Sequence, residues 1–216
     1  MQLYFSPLAC SLATRIALYA AGAEAAYTQV DLRTKRAADG ADFFAVNPMG
    51  QVPALRIADG PEGRGDVVTE NQAVLQYVAD RYPAAGLAPA SGRERARLQQ
   101  WLCFIGTELH KGVFIPLVDP TSTEGAKEYA RQKAPARFAV LDKHLKGRDY
   151  LLDRFSVADA YLVTVLNWTV PNKVDLSPYP AVQAYFGRMH KHPSVAKAFA
   201  EERALYEAEV ARRQAA

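Results

Sequence analysis

The sequence predicts an α/β domain followed by an all-helical domain. Strand and helix patterns alternate through about the first eighty residues, whereas strand patterns almost vanish beyond residue 92 and helical periodicity takes over. Between the two regions, residues 84–92 read AAGLAPASG, a composition typical of a linker. We therefore expect domains over residues 1–83 and 93–216, joined by a linker at 84–92.

The first domain is expected to have the order β-α-β-α-β-β-α, a small mixed sheet with helices packed on its faces. Gly22 and Pro83 end the first and last of its helices, and Asn47 precedes a proline, where the helical conformation is disfavoured. The predicted elements, in chain order, are the strand Leu3–Phe5, the helix Ser11–Ala21, the strand Tyr27–Leu32, a helical segment around Asp42–Phe44, the hairpin strands Ala54–Ile57 and Asp66–Thr69, and the helix Asn71–Tyr82.

The second domain shows five helical stretches. They are Arg93–Val113, Thr123–Leu145, Ser156–Trp168, Pro180–His190 and Ser194–Arg212. Ser156 stands three residues before Asp159 and directly ahead of an apolar run, which predicts a capping box that starts a buried helix. We assign this pair no chemistry.

Bulk properties exclude several classes of protein. The formal charge is only +3 and no long run of Lys and Arg occurs, so a nucleic-acid partner is not expected. The apolar N-terminus has no basic segment before it and is interrupted by Pro7 and Arg15, so we expect no signal peptide. The apolar run from Ala160 to Val170 is too short to span a bilayer. Two cysteines make no disulfide framework, and a reducing cytoplasm is the expected location.

The stretch LYFSPLACSL places Cys10 where a strand gives way to a helix. The amides at a helix N-terminus carry partial positive charge and favour a thiolate, so this position suits a reactive thiol. The alternative is a small buried hydrophobic residue. Pro7 and Ala13 stand where a C-x-x-C partner would be, so redox cycling of Cys10 requires a thiol from outside.

Two further motifs suit a peptide-like ligand. Val52-Pro53 enters a strand, and because proline has no amide donor for the ladder, the pair requires an edge, a bulge or a cis bond. A cis bond would leave an unpaired strand edge that an extended ligand could join. A simple turn before the strand is the alternative. At the turn from strand to helix, Glu70 could take an ammonium, and Asn71 with the helix amides a carboxylate. Simple capping is the alternative there, including a capping box from Thr69 to Gln72.

The helix around His110 divides into two faces at 3.6 residues per turn. Trp101, Leu102, Ile105, Leu109 and Val113 form an apolar face. A second face gathers Cys103, Gly106, Thr107 and His110, which suits a cleft wall; a solvated histidine is the alternative. His190 and His192 form a weak H-x-H pattern without a nearby acid or cysteine, and no metal site is expected.

Together these motifs resemble the cytosolic glutathione S-transferases, most closely the bacterial beta class. The resemblance covers nearly the whole chain and rests on YFSPLACSL, NPMGQVPAL, TENQAVLQYVAD, WLCFIGTELHKG and FSVADAYL. It implies a thioredoxin-like N-terminal domain, an all-helical C-terminal domain, a homodimer, and glutathione as co-substrate without a metal. The second substrate is expected to be a small apolar electrophile.

The resemblance also assigns roles to individual residues. Cys10 corresponds to the cysteine facing the sulfur of glutathione, and His110 to the histidine that approaches the thiol. The residues implied in glutathione binding are Ala9, Lys35, Val52, Pro53, Glu70, Asn71, Cys103, Thr107 and Lys111. Asn71 stands where Ser is commoner and Cys103 where Asn is frequent, and the turn within DGPEGRGD is longer than usual.

Three functions agree with these assignments. The first is conjugation of the glutathione thiolate to apolar electrophiles. The second is glutathione-dependent thiol-disulfide exchange, peroxide reduction or dehalogenation through a mixed disulfide on Cys10. The third is non-catalytic carriage of hydrophobic ligands.

Overall fold

A computed structural model of the chain describes residues 1–57 and 66–214. It divides into two compact units, one formed by Met1–Leu87 together with the segment from Pro193 onward, the other by Ala88–His192. The first break, between Leu87 and Ala88, falls within residues 84–92. The second differs from the expected division, because the last helix belongs to the N-terminal unit and not to the helical one.

The N-terminal unit is built on a five-stranded mixed sheet of order β3-β2-β1-β4-β5. Its elements are β1 (Gln2–Phe5), α1 (Leu12–Ala20), β2 (Ala26–Asp31), β3 (Arg36–Ala37), β4 (Ala54–Ile57), β5 (Asp66–Thr69), α2 (Asn71–Arg81) and α8 (Pro193–Gln214). β1 pairs in parallel with β2 and antiparallel with β4, so Leu3 lies opposite both Tyr27 and Leu55. The central strand therefore carries the chain directly to the start of α1, where Cys10 lies.

Helix α1 is the buried helix of this unit, and it contacts both α2 and α8. Leu12, Ile16 and Ala17 recur at helical spacing and are fully buried, which supplies the apolar stripe that such a helix needs. Gly22 follows the helix with a φ of 64°, the left-handed conformation that commonly ends helices at glycine.

A buried ion pair explains why α8 belongs to the first unit. The Arg15 Nε on α1 lies 3.0 Å from an oxygen of Glu202 on α8, and neither side chain is more than 5% exposed. The guanidinium also lies over the rings of Phe5 and Tyr27, at 4.3 and 4.2 Å from their centroids. Helical periodicity over residues 194–212 predicts a helix, but it does not indicate which domain the helix packs against.

The helical unit contains α3 (Gly92–Phe104), a π-helical segment (Ile105–Phe114), α4 (Ile115–Val118), α5 (Glu124–Leu145), α6 (Val157–Leu166) and α7 (Pro180–Met189). Helix α6 is buried along its whole length. The predicted capping box at its start is confirmed: the Ser156 amide donates to Asp159 at 2.9 Å. Asp159 is fully buried, and burial raises its pKa to about 6, although several donors oppose that rise.

The three consecutive helical segments α3, π and α4 run over residues 92–118. Within the described part of the chain, this is the one helix that is long and apolar enough to cross a membrane by length and composition, and 39% of its most apolar window is buried inside the protein. Length and composition alone are a weak indication, because core helices of globular proteins pass the same test. Here Ile105, Leu109 and Val113 are fully buried in the helical unit.

Two expectations for the first domain need correction. The segment around Asp42–Phe44 is a single 3-10 turn, Phe43–Ala45, because Asp42 caps the Phe44 amide and Pro48 follows. The short strand β3 carries no apolar alternation and was not predicted. The expected long turn between β4 and β5 falls on residues 58–65, outside the described residues.

We expect Arg15→Met to lower the free energy of unfolding by about 3–5 kcal/mol at pH 8, because it leaves a buried carboxylate unpaired. Burial raises the pKa of Glu202 to about 7, above its unfolded value, so this group favours the folded state less as pH rises from about 4.5 through 7. The loss should therefore be smaller at pH 5. Urea unfolding at both pH values measures it.

The matched control is Arg203→Met on the same helix, where the Arg203–Glu207 pair is exposed. We expect this control to change stability by no more than about 0.5 kcal/mol. Equal losses from the two variants would contradict a structural role for the buried pair.

Candidate glutathione and sulfur site

Cys10 lies in the turn between β1 and α1, two residues before the helix begins. Its thiol donates to the Val52 carbonyl at 3.0 Å, and its side chain is half-buried and in no disulfide. The Ala13 amide donates to the Cys10 carbonyl, so the turn leads directly into the first helical bonds. The predicted position at a strand-to-helix junction is confirmed.

Val52 brings an extended backbone edge to the thiol. The Val52–Pro53 peptide bond is cis, and proline supplies no amide donor at the entry to β4. Among residues 1–57 and 66–214, none accepts a hydrogen bond from the Val52 amide. Val52 is buried in a cluster with Tyr4, Phe43 and Ala54, and Ala9 packs against the same cluster. The cluster fixes this edge beside Cys10.

Asn71 joins the start of α2 to the cysteine turn. Its side-chain amide donates to the Cys10 carbonyl at 3.1 Å, and its oxygen accepts a weak bond from Thr14 at 3.4 Å. Asn71 is buried, so these bonds satisfy groups that would otherwise be costly. From the sequence, this side chain is expected to take a ligand carboxylate. In this structure it bonds to the cysteine turn.

Glu70 precedes α2 with a φ of 64°, which is rare for a residue other than glycine. Its side chain is exposed and makes no cap to the helix, and the alternative capping box from Thr69 to Gln72 is absent from this N-terminus. Such a backbone conformation costs about 1–3 kcal/mol and concentrates at functional sites. The turn therefore presents a carboxylate at some cost in stability.

Lys35 also has a positive φ, 56°, and its ammonium donates to the Gly50 carbonyl at 2.9 Å. Gly50 itself has a φ of 59°, and a Cβ there would lie 2.8 Å from the Phe44 ring. The Lys35 ammonium thus holds the loop before Val52, at a position, Gly50, that only glycine fits. The N-terminal unit brings together Lys35, the Val52 edge, Cys10 and Asn71 through consecutive short contacts.

His110 lies in the π-helical segment of the helical unit and is 5% exposed, so the alternative of a solvated histidine is wrong. Its Nδ1 is 2.7 Å from the Tyr161 hydroxyl, and the centroid of its ring lies 5.0 Å from the centroid of the Trp168 ring. Burial, with the neighbouring charge of Lys111, lowers its pKa to about 4. The imidazole is therefore neutral at pH 7 and can donate one hydrogen bond but carries no charge.

The predicted grouping of Cys103, Gly106, Thr107 and His110 on one face does not hold. Cys103 and Thr107 are exposed, whereas Gly106 and His110 are buried. The Thr107 hydroxyl donates to the Cys103 carbonyl of its own helix at 2.9 Å. Lys111 is exposed as well. The prediction assumed α-helical winding throughout, and the wider winding of the π segment separates these residues.

The two aromatic partners of His110 were not predicted from the sequence. Tyr161 carries a hydroxyl within the otherwise apolar run AYLVTVL, and a buried tyrosine hydroxyl normally needs a partner. That signal was available, although it did not identify His110 as the partner. Trp168 follows α6 in a 3-10 turn, Asn167–Thr169, and also packs on Phe114 at 5.9 Å between ring centroids.

The sheet with its cysteine turn and cis-proline edge, followed by a helical unit, defines the class of protein. Residues 1–80 match the family described as Glutathione S-transferase, N-terminal domain, and residues 100–193 match the Glutathione S-transferase, C-terminal domain. The glutathione S-transferase GstA of Escherichia coli O157:H7 is 40% identical over 204 residues, covering 94% of this chain and 98% of that protein. The chain belongs to the glutathione S-transferase family, a family of enzymes.

Solved structures indicate which class of glutathione S-transferase this chain resembles. A bacterial beta class glutathione S-transferase from Sphingomonas chungbukensis superposes with a TM-score of 0.87 and 43% identity, covering 94% of this chain and 98% of that one. A sphingomonad glutathione S-transferase complexed with glutathione gives a TM-score of 0.87 and 44% identity, with the same coverage of both chains. The resemblance to the bacterial beta class is confirmed.

We expect His110 to stay neutral from pH 8 down to about pH 5. Because its folded pKa lies below the ordinary value near 6.5, its contribution to stability is complete above pH 6.5 and is lost as pH falls toward 4. Nitrogen-15 NMR of the imidazole measures the titration, and the His110→Gln variant assigns the signal. Titration with a pKa near 6.5 would contradict the buried neutral ring.

Proposed function

We propose that this protein conjugates the thiolate of glutathione to small apolar electrophiles. The observation that carries the proposal is the 3.0 Å contact between the Cys10 sulfur and the Val52 carbonyl. It puts a sulfur-accepting position directly beside a backbone edge that a peptide can extend. A tripeptide that pairs with that edge through its cysteinyl residue would present its own sulfur beside the Cys10 thiol.

The two ends of glutathione require charged partners. The amides of the first α2 turn suit the γ-glutamyl carboxylate, and the exposed Glu70 carboxylate suits the adjacent ammonium. Lys35, anchored on the loop before Val52, suits the glycyl carboxylate. The sphingomonad relative complexed with glutathione supports the same ligand for this chain. Ala9 and Pro53 shape the edge without charge.

The chemical step requires an ionised thiol. A cysteine thiol has a pKa near 8.5, so only about a few per cent is thiolate at pH 7 without help. Backbone amides of the turn that starts α1 are proposed to stabilise the anion, and His110 is proposed to contribute to turnover as a neutral group. The thiolate attacks the electrophilic carbon, a carbon–sulfur bond forms, and the leaving group departs with its electron pair or the adduct takes up a proton. Thr107 and Lys111 flank His110 in sequence and are proposed to contact the tripeptide, as is Cys103.

A second candidate is disulfide reduction through Cys10, and the absence of a C-x-x-C partner in the sequence favours a route through glutathione. The Cys10 thiolate attacks a glutathione-containing disulfide and releases the other half as a thiolate. A glutathione thiolate then attacks the mixed disulfide, forms glutathione disulfide and frees Cys10. Counting the glutathione that formed the starting disulfide, two glutathione molecules supply both electrons. Carriage of hydrophobic ligands without turnover is the third candidate, and dye binding without turnover on either type of substrate would favour it.

The remaining expectations belong to the same proposal. We propose a cytoplasmic enzyme that forms a homodimer and uses no metal. Among the described residues, no group of three or more His, Cys, Asp and Glu side chains could hold a metal ion.

Cys10→Ala should distinguish the first two candidates. We expect arylation of 1-chloro-2,4-dinitrobenzene to fall by about tenfold or less, because other donors near the sulfur remain, whereas reduction of hydroxyethyl disulfide should be lost. Steady-state kinetics with both substrates measure this, and mass spectrometry of the wild-type protein after incubation with oxidised glutathione maps the adduct to Cys10. Adding His110→Gln should lower arylation further. A double variant with the wild-type arylation rate would refute this account of the sulfur site.

Glu70→Gly should separate stability from ligand binding. Glycine accepts the positive φ without cost, so we expect the free energy of unfolding to rise by up to about 1 kcal/mol. Loss of the carboxylate should raise the Kd for glutathione at least about tenfold. Urea unfolding and calorimetric titration measure the two effects.

Lys173→Gly is the matched control. Lys173 also has a positive φ, 53°, and is not among the predicted site residues. We expect it to gain similar stability with no change in the affinity for glutathione. Unchanged affinity in Glu70→Gly would remove Glu70 from the proposed site.

A further inference from the structure

The helix that carries His110 is wound more widely over residues 105–114 than on either side. This ten-residue π segment is unusually long, since π winding mostly occurs as single turns, frequently at functional sites. At its end the Ile115 amide donates to the His110 carbonyl, five residues back. His110 therefore lies inside the π segment with both flanks fixed by helix, α3 before it and α4 after it.

Two residues in the sequence account for the wide winding. Pro116 has no amide donor, and in an α-helix its ring would clash with the carbonyl of Gly112, four residues earlier. At Gly112, a Cβ would lie 2.9 Å from the Thr107 carbonyl oxygen, five residues back. Real Cβ atoms essentially never stand that close to a backbone oxygen, so the observed winding is open to glycine alone at this position.

The winding decides which way His110 faces. In an α-helix, residues seven apart share a face, so His110 would lie above Cys103. Instead Cys103 is exposed and His110 is 5% exposed. Buried residues recur in neighbouring pairs every four positions, a repeat longer than the 3.6 residues of an α-helical turn. These pairs are Ile105 with Gly106, Leu109 with His110, and Val113 with Phe114.

The geometry points to Gly112 as a positioning residue: by permitting the π winding, it holds the His110 imidazole against Tyr161 and Trp168. It touches no reacting atom and acts only through His110. The effect on turnover rests on the proposed function, whereas the effect on the orientation of His110 does not.

Gly112→Ala, with Gly187→Ala as the matched control, tests this role. Gly187 lies in α7 of the same unit, and a Cβ there meets no heavy atom within 4 Å. In Gly112→Ala we expect the pKa of His110, measured by imidazole NMR, to rise by at least about one unit toward 6.5, as burial against Trp168 is lost. We expect kcat for arylation to fall about tenfold and KM for glutathione to stay within about twofold. The control should leave all three values unchanged.

The outcomes separate the two claims. A shifted His110 signal with wild-type kcat supports the positioning role and refutes a role for His110 in turnover. An unchanged His110 signal refutes the positioning role, whatever happens to kcat. If Gly112→Ala does not fold, through-hydrogen-bond NMR couplings in the wild-type protein decide the matter. A coupling from the Gly112 amide to the Thr107 carbonyl supports the π winding, and a coupling to Glu108 instead overturns it.

Discussion

The hydrogen bond from the Asn71 side chain to the Cys10 carbonyl is the contact on which the candidate site depends. It ties the start of α2 to the turn that starts α1, so two helix N-termini are held in one place. The Cys10 thiol then reaches the Val52 carbonyl on the neighbouring strand. Losing this bond would free the turn, although the Ala13 amide would still donate to the Cys10 carbonyl. A small sheet thereby fixes a thiol, an open peptide edge and helix amides together.

The groups proposed to act on the thiolate are neutral dipoles and not cations. His110 is uncharged at pH 7, and the cysteine turn contributes backbone amides. Neutral donors stabilise a thiolate less than an ammonium or guanidinium would, but they do not hold it in an ion pair. This difference matters because a strong nucleophile requires a thiolate that forms readily and remains reactive. The charged residues Lys35 and Glu70 belong instead to the proposed ends of the tripeptide. Charge and sulfur chemistry are thus divided among different residues.

Much of the fold was predictable because its signals are local. Gly22, Asn47-Pro48 and Pro83 mark boundaries through backbone sterics alone, and the Ser156–Asp159 box starts α6 as expected. The placement of α8 was not predictable in this way. Its sequence predicts a helix, but only the tertiary structure shows that Arg15 on α1 pairs with Glu202.

The candidate site was predictable in outline but not in detail. Cys10, Val52 and Lys35 lie in one unit joined by short contacts, and the Asn71 side chain bonds to the cysteine turn. The predicted face of the His110 helix was wrong because the prediction assumed a rotation of 100° per residue. Gly112 and Pro116 signalled a departure from that winding, but a periodicity count does not detect it.

The central claim is that glutathione docks on the Val52 edge and loses its proton more readily there. Thiolate absorbance near 240 nm, titrated with pH on the complex of Cys10→Ser with glutathione, measures this directly, and the same complex with a thiol-free glutathione analogue supplies the blank. The account predicts an apparent pKa at least about one unit below the ordinary thiol value near 8.5. A bound thiol that titrates at or above that value would contradict it.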